Sequence, residues 1–265
     1  MGSLSDYSEN KLVDHICGTA YSPVATVYLG LSEANPGDDG AGLVEGDYTG
    51  YARVAITFGA AASRRVTQSA LVTFGACTAG SNDFTHWFVA DNGTLGGGNI
   101  LASGALDATK SVVVGNTPSV ASGEVYVEIS AGGFSDYAAE GLLDLMFRNQ
   151  AFSVTNTYVG FTTTVCSDSA AGTEVSGGSY AREIINEYTG GTPEWTAASA
   201  GAVSNNGDVT FTDPTGDWGT VVAVGYWDAA TVGNFLMYDN AVTDQAITSG
   251  DTVKIPSGSA TVSLS

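Results

Sequence analysis

The chain has 265 residues, with 28 acidic against 8 basic side chains and a formal net charge of -20. That balance excludes the basic footprint needed to hold nucleic acid or an anionic membrane. Hydrophobic residues make up 43% and charged residues 14%, and 35 glycines separate runs of Val, Thr, Tyr and Phe. This excludes a disordered chain and points to all-β domains of short strands between turns.

The chain opens with a helix. Ser5 or Asp6 is placed to cap it, and Glu9 follows Asp6 by three residues, as in a capping box. Leu12, Val13 and Ile16 form an apolar stripe, and Gly18 stops the helix. A helix this short needs a surface to pack on, either its own sheets or a neighbouring subunit. An apolar face left open at Leu12 and Ile16 is therefore a candidate subunit contact. Strands are expected over residues 25–31, 51–58, 70–74, 85–91, 100–103 and 125–129, with a turn-rich loop carrying Asp38 and Asp39 after the first.

Beyond the short link Ser130-Ala131-Gly132-Gly133 the same order returns. Ser5-Asp6-Tyr7 recurs as Ser135-Asp136-Tyr137, and Leu12-Val13-Asp14 as Leu142-Leu143-Asp144. Val27-Tyr28-Leu29-Gly30 recurs as Thr157-Tyr158-Val159-Gly160, and all three pairs share an offset of roughly 130 residues. Tyr51-Ala52-Arg53 then matches Tyr180-Ala181-Arg182, and Asn99-Ile100-Leu101 matches Asn234-Phe235-Leu236. Ser135 and Asp136 cap the second helix, whose stripe is Leu142, Leu143, Met146 and Phe147. Its strands are expected over residues 157–161, 180–185, 207–211, 221–228, 235–238 and 260–264. The fold expected is mainly β, with two tandem antiparallel β-sandwich domains, 1–130 and 131–265, each opened by a short α-helix.

What repeats is apolar pattern and turn chemistry, with no repeated set of acid, base, nucleophile or metal ligand. An enzyme is therefore not expected, and neither is a cofactor or a metal. GxSxG, HExxH and phosphate-cradling loops are missing, and nothing selects a carboxylate pair for glycoside hydrolysis. His15 and His86 have no counterparts in the other copy, so they read as surface or packed histidines. Asp38-Asp39, and Asp213 with Asp217, read as solvated turns rather than calcium ligands. Cys17, Cys77 and Cys166 are odd in number and do not recur between the copies. They read as small buried apolar residues of a protein made in a reducing cytoplasm. The N-terminal residues show neither a signal-peptide pattern nor a full myristoylation motif, because Asp6 stands where the latter needs a hydroxyl. Trp87, Trp195, Trp218 and Trp227 are the aromatics a carbohydrate-binding module would expose, but they do not recur as a set and fit core packing better.

The most informative polar feature is the repeated Tyr-Ala-Arg. Arginine is rare in this chain, so finding it at Arg53 and again at Arg182 calls for a shared role. The simplest is structural, with the aliphatic stem on apolar surface and the guanidinium on a carboxylate or carbonyl. The rival is contact with an acidic neighbour, which makes Arg53 and Arg182 candidate subunit or shell contacts.

Longer strings carry a resemblance to a known family. They are Leu4 to His15, Thr19 to Leu31, the run Gly172-Thr173-Glu174-Val175-Ser176-Gly177-Gly178-Ser179-Tyr180-Ala181-Arg182, and the spaced motifs from Asn205 to Leu236. Together they resemble a small domain of tailed-bacteriophage virion proteins, often labelled tail-fibre-like, once in each copy. The first copy departs from the pattern at residues 80–85. The resemblance implies a structural virion component, without catalytic residues to transfer. The reading it favours is a capsid decoration or cement protein, assembled in the host cytoplasm and bound to the outer face of the shell. Its partners would be the major capsid protein or other virion proteins and further copies of itself, a trimer among the options. The alternative is a tail-fibre, tail-tip or baseplate component that binds a host surface, carbohydrate included.

Overall fold

Nineteen strands and two helices follow one another in the computed structural model, which describes residues 2–130, 132–187 and 194–264. Ala131 of the expected link lies outside these residues. The order is β1 (Gly2–Leu4), α1 (Asp6–Ile16), β2 (Val27–Ser32), β3 (Val54–Ile56), β4 (Arg65–Thr67), β5 (Val72–Thr73), β6 (Asn82–Ala90), β7 (Ile100–Val112), β8 (Ser119–Val120) and β9 (Tyr126–Glu128). Then come α2 (Asp136–Arg148), β10 (Asn156–Thr162), β11 (Glu183–Glu187), β12 (Ala202–Ser204), β13 (Val209–Thr210), β14 (Gly219–Val221), β15 (Ala223–Trp227), β16 (Phe235–Asp239), β17 (Gln245–Ile247), β18 (Lys254–Ile255) and β19 (Thr261–Ser263). The protein is mainly β, in two tandem halves that each carry a helix near their start, the first preceded by the short strand β1.

The chain divides into two units that follow the two copies except at the helices. Unit 1 is Met1–Glu9, Ser22–Ser130 and Glu140–Phe152; unit 2 is Asn10–Tyr21, Ala131–Ala139 and Ser153–Ser265. Each helix therefore starts in the unit of its own copy and ends in the other. The helices trade places.

In unit 1 a seven-stranded sheet runs β3-β2-β6-β7-β1-β9-β4. Its pairs are antiparallel except β1 with β9, which is parallel at Gly2 and Val127. The hairpin of residues 57–69 brings the two sheet edges together. Gly59 N–H donates to Thr67 O at 2.9 Å and Ser69 N–H to Thr57 O at 2.9 Å, so the sheet curls back on itself. Fully buried Leu29, Phe74, Phe84, Phe88 and Leu101 fill it. Leu142, Leu143 and Met146 of α2, also fully buried, complete this core, and Phe147 packs on Phe58 at 5.3 Å.

Unit 2 repeats the plan in shorter pieces. A four-stranded sheet β11-β10-β15-β16 is joined by the pairs β12-β19, β13-β18 and β14-β17. The single strand expected over 221–228 is two, β14 and β15, with different partners. The strand expected over 100–103 is far longer, because β7 runs on to Val112 beside β6 across a bulge between Phe84 and His86. Phe161, Phe211 and Trp218 cluster at the core, with Phe161 and Phe211 ring centres 4.5 Å apart. Leu12 and Ile16 of α1 are fully buried in this unit. The helix face expected to lie open at these residues is therefore closed. The cause is the exchange, which seats it in a unit built mostly from the other copy.

Serine, not aspartate, caps both helices. Ser5 Oγ accepts from Ser8 N–H at 3.3 Å, and Ser135 Oγ from Ala138 N–H at 3.2 Å. Each hydroxyl then donates to a strand carbonyl, Ile100 O at 2.5 Å and Phe235 O at 2.6 Å. With Ser5 as the cap, Glu9 is one residue too far along to close the expected capping box. Instead its carboxyl is pushed up to about 7, first by burial and then by the charges of Asp6 and Asp38.

Candidate functional site: two clamped loops and two helix latches

The two Tyr-Ala-Arg segments build the same arrangement. In unit 1, Arg53 Nε donates to Glu45 Oε1 at 2.7 Å and Nη2 to Glu45 Oε2 at 2.9 Å, a two-point pair. Nη1 reaches the loop after β6, donating to Asn92 O at 2.8 Å and Gly97 O at 2.7 Å. The guanidinium lies 5.1 Å from the Phe88 ring centre. In unit 2, Arg182 grips both oxygens of Glu174 at 2.7 and 2.8 Å. Its Nη1 donates to Ala229 O and Val232 O, both at 2.8 Å, and its guanidinium sits 3.9 Å from the Trp227 ring centre.

The tyrosines brace the same carboxylates. Leu31 N–H donates to Tyr51 Oη at 2.8 Å and Phe161 N–H to Tyr180 Oη at 2.9 Å, while each hydroxyl donates onward to Glu45 or Glu174. Burial, with the neighbouring glutamate, raises both phenols well above the usual tyrosine range. Each clamped loop is closed by an aspartate–asparagine pair. Asn99 donates through N–H and Nδ2 to the two Asp91 oxygens, both at 2.7 Å, and Asn234 does the same to Asp228, both at 2.6 Å.

Arg53 and Arg182 are thus buried clamps rather than surface groups, their side chains 2% and 7% exposed. They hold a loop that presents an apolar residue to solvent, Leu95 at 49% exposure and Val232 at 86%. Val232 has φ +59°, a left-handed conformation unusual for a β-branched residue. Glu45 and Glu174 were not singled out from sequence. The signal was there: each precedes its arginine by eight residues, in Glu-x5-Tyr-Ala-Arg.

A second repeated feature fixes the exchanged helices. In unit 1 the turn at Ser63 and Arg64 has φ of 51° and 61°; in unit 2 the turn at Ala200 and Gly201 has 49° and 69°. Two successive positive φ values define the tight hairpin turn that asparagine and glycine usually supply. Helix side chains latch the N–H groups around it. Asp144 Oδ1 accepts from Ala61 N at 2.8 Å and Glu140 Oε1 from Arg64 N at 3.4 Å, both within unit 1. Within unit 2, Asp14 Oδ1 accepts from Ala198 N at 2.7 Å and Asn10 Oδ1 from Gly201 N at 2.9 Å. Asp14 corresponds to Asp144 and Asn10 to Glu140 at the same 130-residue offset.

Trp87, Trp195, Trp218 and Trp227 are all buried, between 3% and 8% exposed. Cys17, Cys77 and Cys166 are buried free thiols. His15 accepts from Tyr21 N at its Nδ1, and His86 shares a hydrogen bond with Thr85. Among the described residues, no group of three His, Cys, Asp or Glu side chains could hold a metal ion, and no helix is long and apolar enough to cross a membrane.

In each of the two curled β units the repeated polar residues hold a loop and a helix. Residues 3–128 and 133–263 match the family described as Podophage GP4 fiber I protein gp80, and the chain belongs to that family. It is a phage fibre-type virion protein carrying the family domain twice. Among curated proteins none matches the chain.

Proposed function

We propose that the chain is a non-enzymatic structural component mounted on the outside of the particle, in a fibre-type appendage, where it binds other virion proteins. The observation that carries this reading is the fate of the repeated polar residues. Both Glu-Tyr-Arg sets are paired internally and spent on pinning loops, which leaves an exposed apolar tip as the repeated surface feature. Leu95 and Val232, rather than Leu12, Ile16, Arg53 or Arg182, are then the residues offered to a partner. The family description favours the fibre over shell decoration. A formal charge of -20 argues against nucleic acid or an anionic membrane as the partner. The duplication lets two weak contacts act together.

The second reading is a cement protein spread over the capsid, for which small tandem domains and an acidic exterior are also suited. The two are separated by adding purified protein to tail-free capsids and to intact tailed particles that lack it. Saturation at a few copies, on tailed particles only, supports the appendage. Saturation at many copies on tail-free capsids overturns it in favour of decoration.

A further inference from the structure

Each unit has a seat for a helix that its own copy does not fill. In unit 1 the seat is the hairpin turn at Ser63 and Arg64 with the apolar surface around Phe58, and it takes residues 140–152, the larger part of α2 and the turn after it. In unit 2 it is the turn at Ala200 and Gly201, and it takes residues 10–21, the larger part of α1 and the segment after it. The two seats use the same turn and latch the same N–H groups with side chains at corresponding helix positions. A first copy is therefore completed by the α2 helix of a second copy, and nothing in the latch requires both copies to belong to one chain.

We propose that the helix seats are also an assembly surface whose partner is a second molecule of this chain. In that state the first copy of one molecule receives α2 of the other, and the second copy receives α1 of the other. Every helix contact is retained, and only the link after Ser130 must take a new path. Domain exchange of this kind costs little because the contacts in the closed and exchanged forms are the same. Concentration decides between them, since the internal seat competes through the effective concentration set by the short link.

The test uses the full chain with Ala61→Cys and Asp144→Cys, neighbours at the unit 1 latch through the Ala61 N–H bond to Asp144 Oδ1, joined by a short bis-maleimide. The native Cys17, Cys77 and Cys166 are buried and stay unmodified. The protein is unfolded in denaturant and refolded at low and at high concentration. At low concentration the expected product is a monomer cross-linked within the chain. At high concentration it is a species of doubled mass by light scattering, with the cross-link joining two chains on a denaturing gel. Monomer alone at high concentration, or a dimer cross-linked only within chains, overturns the proposal. The pair Asp14→Cys and Ala198→Cys reports the unit 2 seat in the same way and covers a failure of the first pair to fold.

Discussion

Truncating one helix residue should damage the half of the sequence it does not belong to. Leu12 lies in the first copy, yet it is fully buried in unit 2. Replacing a fully buried leucine by alanine costs about 2–5 kcal/mol, the transfer of its methyl groups plus the cavity left behind. At about 1.4 kcal/mol per tenfold, the lower bound already means about 30-fold faster opening of whatever the side chain supports. In Leu12→Ala, hydrogen exchange followed by mass spectrometry should therefore accelerate in β10, β12 and β15, which belong to unit 2. Thr157 in β10 should be among the first affected, since its hydroxyl donates to Ile16 O at 3.2 Å. Exchange in β2, β6 and β7 should stay near the parent rate. Leu142→Ala, equally buried but in unit 1, should give the mirror image, fast exchange in β2, β6 and β7 with β10 and β15 protected. If Leu12→Ala instead loosened β2, β6 and β7 and spared β10, each helix would be packing on its own copy and the exchange would be refuted.

Three further outcomes are expected. Arg53→Ala leaves the partly buried Glu45 without its charge partner, though still bonded by Gly96 N–H, and should lower stability to denaturant by up to about 3 kcal/mol, whereas replacing both residues by apolar ones of similar volume should cost much less. Glu9 has a folded pKa of about 7 against 4.5 for a free side chain, so its contribution is fully present below pH 4.5 and is lost as pH rises through 7. Thermal unfolding measured across that window should show the parent midpoint falling relative to Glu9→Gln, in which this fall disappears. Val232→Gly removes a β-branched residue from a left-handed conformation and should raise stability by up to about 1 kcal/mol in denaturant melts, while weakening binding to the particle if the clamped tip is the contact.

Much of this was legible in the residues. The duplication, both helices, the serine caps among the candidates and the internal role of the two arginines all follow from short-range pattern and from the scarcity of arginine. The strand boundaries did not, because two- and three-residue strands such as β5 and β13 are set by their partners β8 and β18 rather than by their own composition. The helix exchange was out of reach for a different reason. An apolar stripe at Leu12, Val13 and Ile16 states that a face will be buried but not against which of two near-identical sheets. The latch residues Asp14 and Asp144 repeat at the copy offset, yet their acceptor role depends on backbone N–H groups at turns in which Ser63, Arg64 and Ala200 take conformations their side chains do not announce. Glu45 and Glu174 could have been found from their equal spacing to the two arginines.

The proposed place in an external appendage has a direct consequence for where the chain is found in the particle. The most direct measurement is quantitative mass spectrometry of purified particles, before and after separating tails from capsids. The chain is expected at a fixed, small number of copies and in the tail fraction. A chain absent from purified particles, or one that stays with emptied capsids at many copies, would contradict it.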